Sequence, residues 1–321
     1  MTEPRSTGGI SRRGALRGLG AGAAALAAAP AFADAPMAGV RRPQVYRAKL
    51  GGFEVTAVLD GALQRPDPHK IFGEDQSPEA VGALLQANFL PTDQLEIGFT
   101  PILLNTGEAL ILFDAGNGAL RRPNAGALRE RLAAAGYAPD QIDIVALTHF
   151  HPDHIGGLME EGAPAFPNAR YVAPAAEFDF WLKPGAPERV RLLAESNVKP
   201  LAPKMTMIEG GQDVVSGVTA VAAHGHTPGH TIYHIESEGR RLILVGDTAN
   251  HYVASLQRPD WHVRFDMDKA AAAATRKAVF DMIAAERIPF TGYHMPFPSI
   301  GYVRAAHTGY RYIAASYQLN F

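Results

Sequence analysis

The run Thr148-His149-Phe150-His151-Pro152-Asp153-His154-Ile155-Gly156-Gly157 puts three imidazoles and a carboxylate into six consecutive positions, 149–154. It follows residues 142–147, apolar apart from Asp143, the pattern of a buried strand. The chain therefore leaves the core and enters a donor-rich loop at once. Neutral imidazole and carboxylate suit zinc and similar divalent ions. One ion cannot easily take all four donors from so short a loop, so the spacing points to two ions side by side. His149 and His151 would face one, Asp153 and His154 the other. Gly156 and Gly157 would let the backbone turn tightly as a helix begins. Three of the chain's 12 histidines fall in these six positions, which makes an accidental polar loop a poor account. Cysteine is absent, so any metal must be held by nitrogen and oxygen.

Strands and helices alternate on either side. Residues 34–50 read as an extended lead-in, 53–59 as a half-buried strand and 64–76 as a loop rich in Pro, Asp and Gly. Ser77 and Pro78 open a helix to residue 87 as N-cap and first residue. Residues 100–104 and 109–113 form a hairpin, and 125–135 an amphipathic helix ended by Gly136. Beyond the donor run come a strand at 171–172, helices at 175–182 and 188–195, and strands near 205–208, 218–222, 231–235 and 242–245. Asp268 caps a long helix reaching residue 285. No repeat and no Pro- or Ser-rich linker divides residues 34–321, so one α/β domain is expected, with functional residues on loops at strand ends.

Of 321 residues, 47% are hydrophobic and 19% charged, enough for a sizeable core. The formal net charge of -2, with charges scattered, gives no reason to expect nucleic acid or an anionic membrane as partner. Arg12 and Arg13 precede a Gly/Ala/Leu stretch at 18–29 and the small-x-small pattern Ala31-Phe32-Ala33. Residues 1–33 therefore read as a twin-arginine signal peptide, with export to the periplasm expected. The apolar stretch is too short and too Gly/Ala-rich for a stable membrane anchor.

The donor run resembles the H-x-H-x-D-H signature of the metallo-β-lactamase superfamily, and three more segments match that family in its order. His224-Gly225-His226-Thr227-Pro228-Gly229-His230 is similar to the second ligand segment, whose ligand lies four before the last histidine; that selects His226. Gly246-Asp247-Thr248 resembles the segment of the bridging carboxylate, and Tyr293-His294-Met295 that of the final ligand. The likeness covers residues 50–300. It implies an αβ/βα sandwich, two mixed sheets face to face with helices outside. It implies seven ligands, His149, His151, Asp153, His154, His226, Asp247 and His294, for two divalent cations, zinc first and Mn, Fe or Co as alternatives. Two ions sharing Asp247 and a water would lower that water's pKa and supply hydroxide to attack an ester carbonyl or a phosphorus centre. No G-x-S-x-G segment offers a serine instead. Asp153 and Asp247 are the candidate catalytic carboxylates, with Asp153 as proton carrier. Asp114 matches a family aspartate that turns the chain and supports the ligand loop.

Within the superfamily the likeness is to methyl parathion hydrolase and the lactonase and arylesterase enzymes related to it. Thr227-Pro228-Gly229-His230-Thr231, Phe180-Trp181-Leu182, the 294–302 segment and the 21-residue step from His226 to Asp247 carry it. Aryl esters or lactones are the expected substrates, with phosphotriesters as a side activity. Phe180 and Trp181 would line an aromatic pocket or, alternatively, pack in a helix core. Many acyl-homoserine lactone lactonases carry a tyrosine three residues after the bridging aspartate; here Asn250 stands there, with His251 and Tyr252 beyond to take its role. That class of lactone is thus the alternative expectation. β-Lactams and an iron-dependent redox role are lesser ones. The expected partner is a small ester, lactone or phosphotriester, and a homodimer is compatible. His224 and His230 read as donors orienting carboxylates or as structural polar groups, and His234 as structural. His69, His262 and His307 have no partner motif.

Overall fold

In the computed structural model, which describes residues 36–321, the apolar runs become two seven-stranded sheets. The signal-peptide reading of residues 1–33 lies outside the described residues. In the first sheet Val45–Leu50, Phe53–Val58, Ile102–Asn105 and Leu110–Phe113 pair antiparallel. Leu110–Phe113, Ile144–Ala146, Arg170–Pro174 and Met205–Ile208 then pair parallel. Parallel neighbours need crossovers, and helices Leu128–Ala134, Ala175–Trp181 and Glu188–Asn197 lie on them. In the second sheet Asp213–Val215, Val218–Ala222, Thr231–Ser237 and Arg240–Leu244 pair antiparallel. The helix Lys269–Glu286 then leads to Phe290–Thr291, parallel to Arg240–Leu244.

Side chains alternate across a strand, and that decides the layering. Leu104, Ile111, Ile144 and Val172 meet Tyr233, Ile235, Leu242 and Leu244 between the sheets. Their neighbours Leu103, Leu112, Val145 and Tyr171 point outward, against Leu132 and Ala194 of the covering helices. On the far side Ile243 and Val245 meet Phe280 and Ile283 of the long helix. Each such side chain contributes about 1.5–3 kcal/mol by leaving water. The result is the four-layer αβ/βα sandwich, and residues 42–321 form one unit. Among the described residues no helix is long and apolar enough to cross a membrane.

The local rules hold at the helix starts. Ser77 accepts from Ala80 N and Asp268 from Ala271 N. Three readings change. The lead-in is a strand from Val45, paired to Phe53–Val58. The expected loop at 64–76 begins as a strand, Gly61–Pro66, paired to Gln94–Phe99. A hairpin of Ile300–Ala306 and Gly309–Ala314 closes the second sheet. Mixed composition hid all three, because strand pairing satisfies the backbone whatever the exposed side chains are.

Candidate metal centre

The donor loops all leave strands at one edge of the sandwich. Ile144–Ala146 runs into His149, Arg240–Leu244 into Asp247 and Phe290–Thr291 into His294, while His226 lies between Val218–Ala222 and Thr231–Ser237. Inside the first loop Pro152–Ile155 makes a helical turn with Pro152 at its start. Gly156 and Gly157 follow that turn rather than open it. A Cβ on Gly156 would stand 2.4 Å from Asn117 O, and one on Gly157 2.0 Å from Ala115 O. Close approach of the 115–118 loop requires these glycines, not a tight turn. Asp60, fully buried, fixes that loop by accepting from Asn117 N at 2.9 Å and Asn117 Nδ2 at 2.7 Å.

The seven donors gather into two groups, His149 with His151, His226 and Asp247, and Asp153 with His154 and His294. In the first, His149 Nε2 lies 3.0 Å from His151 Nδ1, which lies 2.9 Å from His226 Nε2. Asp247 Oδ2 stands 3.3 Å from His226 Nε2 and 3.1 Å from His294 Nε2, and Oδ1 stands 3.3 Å from His154 Nε2. Asp247 thus reaches both groups. Two nitrogens each 2.0–2.1 Å from a tetrahedral zinc stand about 3.3 Å apart, so the spacings fit ligand polyhedra. Buried His154 Nε2 and Asp247 Oδ1 have no hydrogen-bond partner among the described residues. A cation would satisfy both, so the residues present fit two divalent ions, and the donor chemistry is that of zinc.

Hydrogen bonds behind the rings select the nitrogen each presents. His154 Nδ1 donates to Asp114 at 2.8 Å, His226 Nδ1 to Asp266 at 2.8 Å and His294 Nδ1 to Gly98 O at 2.8 Å. Each leaves Nε2 facing the centre. Thr148 Oγ1 lies 3.0 Å from His149 Nδ1 and donates to Asp114. Burial holds His149 well below the usual imidazole range and His151 at about 3, in the neutral form a metal takes. Burial also opposes charge on His226, yet hydrogen bonds to Asp247 and Asp266 outweigh it and raise the ring to about 9.

Several supports escaped the sequence. Asp266 passes its second oxygen to Arg276 Nη2 at 2.6 Å, and Arg276 is fully buried, its Nε donating to Thr248 O one residue past Asp247. Glu177, also buried, accepts from Phe150 N at 2.9 Å and from Gly229 N at 2.7 Å. It ties the His149–His151 loop to the His226 loop. His230 accepts from Asp247 N at 3.0 Å and so holds the backbone of that residue, not a carboxylate.

A pocket of about 210 Å³ opens on the centre, lined by His151, Asp153, Asp247 and His294 together with Ile97, Phe99 and Phe265. Asn250 lines it too, its amide donating to Asp247 Oδ2 at 2.9 Å. The expected aromatic pair does not. Trp181 is 1% exposed in the core, its indole N–H on Glu177 at 2.7 Å. Phe180 packs against that core under Lys183 Nζ at 4.4 Å. Glu177 must be buried to join the two loops, and it draws Trp181 inward on the same helix. His251 and Tyr252 also lie off the pocket; His251 Nδ1 accepts from Val253 N and Ala254 N, and the two rings stack at 5.1 Å.

A profile of the metallo-beta-lactamase superfamily matches residues 100–290, six of the seven donors among them. The chain belongs to the metallo-β-lactamase superfamily. Among members of this superfamily, it is similar to AidC, a dizinc quorum-quenching lactonase solved with a product, N-hexanoyl-L-homoserine. That likeness has 27% identity and a TM-score of 0.81, over 86% of this chain and 98% of that one. The hydrolase AbOPH matches at 26% and 0.81, over 87% of this chain and 100% of its own. An N-acyl homoserine lactonase of Bacillus cereus is 30% identical over 145 residues, 45% of this chain and 53% of its own. The chain thus spans about half the length of the curated relatives it matches.

Proposed function

We propose that the protein is a two-metal hydrolase that opens small lactones, N-acyl homoserine lactones foremost. The observation that carries this is Asp247, which lies within reach of both donor groups at the floor of the pocket. The likeness to a dizinc lactonase holding a ring-opened product supports the lactone class. His149, His151, His226, Asp247, Asp153, His154 and His294 would hold two divalent cations, which would supply Lewis-acid polarisation of a carbonyl and activation of water. The chain's own groups do the rest. His149, His151 and His226 would offer ring nitrogens to one ion on one side of Asp247, and His154 and His294 to the other. Asn250 Nδ2, in the place of a tyrosine, fixes the Asp247 carboxylate by donating to Oδ2. Asp153, 15% exposed and on the pocket wall, is the carboxylate placed to carry a proton to the leaving oxygen.

Aryl ester hydrolysis is a second reading, supported by Phe99 and Phe265 in the pocket wall. Zinc-loaded protein assayed by pH-stat against matched acyl-homoserine lactones, aryl esters and phosphotriesters separates them. The highest kcat/KM is expected on the lactones; faster turnover of aryl esters would overturn the lactone reading in favour of the second.

A further inference from the structure

The pocket wall carries charge that the metal centre does not account for. Arg65, Arg121 and Arg189 all line it. Arg121 lies over the Phe99 ring at 5.8 Å, and Phe99 meets the His294 ring edge-on at 5.5 Å. This guanidinium therefore stands about one aromatic ring beyond the metal donors. Arg65 and Arg121 are half-buried. Among the described residues the ion pairs of the protein go to other cations, and none of these three has an acidic partner within salt-bridge distance. Burial, then the like charges of Arg121, Arg189 and nearby Arg264, depress the Arg65 guanidinium, with Asp153 opposing them.

Gathering like charges in a concave site is unfavourable unless an anion joins them. Asp153 and Asp247 line the same pocket, but two divalent cations held there would outweigh the charge of both carboxylates. A planar guanidinium fork matches a planar carboxylate. We infer that this arginine cluster is a selectivity subsite, and that the pocket takes lactones or esters bearing a carboxylate on the acyl side, remote from the scissile carbonyl. The inference rests on the hydrolase reading and narrows its substrate class. Phe99 lies between Arg121 and His294, and with Ile97 and Val190 of the same pocket it would cover the methylenes of such a substrate.

The test uses zinc-loaded protein and two matched pairs. One is N-hexanoyl-homoserine lactone against its analogue ending in a terminal carboxylate. The other is phenyl hexanoate against the monophenyl ester of adipic acid. The charged member of each pair is expected to have a kcat/KM about tenfold higher or more, mainly through KM. The ratio should shrink as salt screens the contact, and Arg65→Ala, Arg121→Ala and Arg189→Ala should each lower it, the triple variant to about one. A ratio of one or less in the wild type, or a ratio unmoved by the triple variant, overturns the inference. Should neither lactone open while the aryl esters do, the lactone reading fails alone, and the aryl pair still reads the arginines. Calorimetric binding of adipate against hexanoate provides the same comparison without turnover: tighter adipate binding, lost in the triple variant, supports the subsite, and equal binding overturns it.

Discussion

Asp266 Oδ1 accepts from His226 Nδ1 at 2.8 Å, and Arg276 holds the other oxygen of the same carboxylate. That bond turns His226 Nε2 toward Asp247 and keeps the ring from rotating. Asp266→Asn is expected to weaken zinc binding about 10–100-fold, the usual cost of losing a partner behind a ligand, read by competition with a chelating dye. Unchanged affinity would mean that the ring is oriented by packing alone. Arg276→Met strands a buried carboxylate and should cost about 3–5 kcal/mol in stability, measured by denaturant unfolding of the holoprotein.

Glu177 offers two oxygens to Phe150 N, Gly229 N and the Trp181 indole. Glu177→Gln would set an amide N–H against these donors. A loss of about 1–3 kcal/mol is expected, with weaker metal binding because both ligand loops are released. A variant with wild-type melting temperature and metal affinity would show that the loops hold themselves.

Trp181, buried and off the pocket, is expected to act on stability rather than on substrate choice. Trp181→Ala should cost about 3–5 kcal/mol by emptying a core site, while the ratio of kcat/KM for aryl over alkyl esters stays within about twofold. A selective collapse on aryl substrates would return Trp181 to the pocket.

The donor set was legible because its signal is local: imidazoles and carboxylates at fixed short spacings, each following an apolar strand. The same locality made the capped helices at Ser77 and Asp268 readable. What stayed hidden depends on long-range packing. Asp266 and Arg276 stand in unremarkable surroundings, and nothing in an alanine-rich helix announces an arginine that is fully buried. The pocket wall comes from Gly61–Pro66 and Gln94–Phe99, one read as a loop and the other given no element, so Arg65 and Phe99 could not be placed. Residue type alone leaves Phe180 and Trp181 open between the pocket and a helix core. Helix rotation decides which face a side chain takes, and here Glu177 set that rotation.

Metal affinity should fall as pH falls. A cation must displace the proton of His226, held up to about 9, and those of His154 and His294, where burial is outweighed by Asp114 and Asp247 for the first and by Asp247 and Asp153 for the second. His149 and His151, pushed down, are already neutral and add nothing to the dependence. Lower pH favours the protonated rings, so the apparent Kd should rise by up to about tenfold per pH unit for each proton displaced. A Kd for zinc that is flat from about pH 9 to pH 6 would contradict the protonation states assigned to the metal-free centre.

Hydrolysis followed while zinc is returned to metal-free protein tests the central claim most directly. With N-hexanoyl-homoserine lactone in a pH-stat, ring opening should be negligible without metal and should climb to its maximum at two zinc ions per chain. Asp247→Asn, which removes the ligand reached by both donor groups, should stay near background at the same loading. Full activity at one zinc ion, or no ring opening by the fully loaded wild type, would contradict a dinuclear lactonase centre built on Asp247.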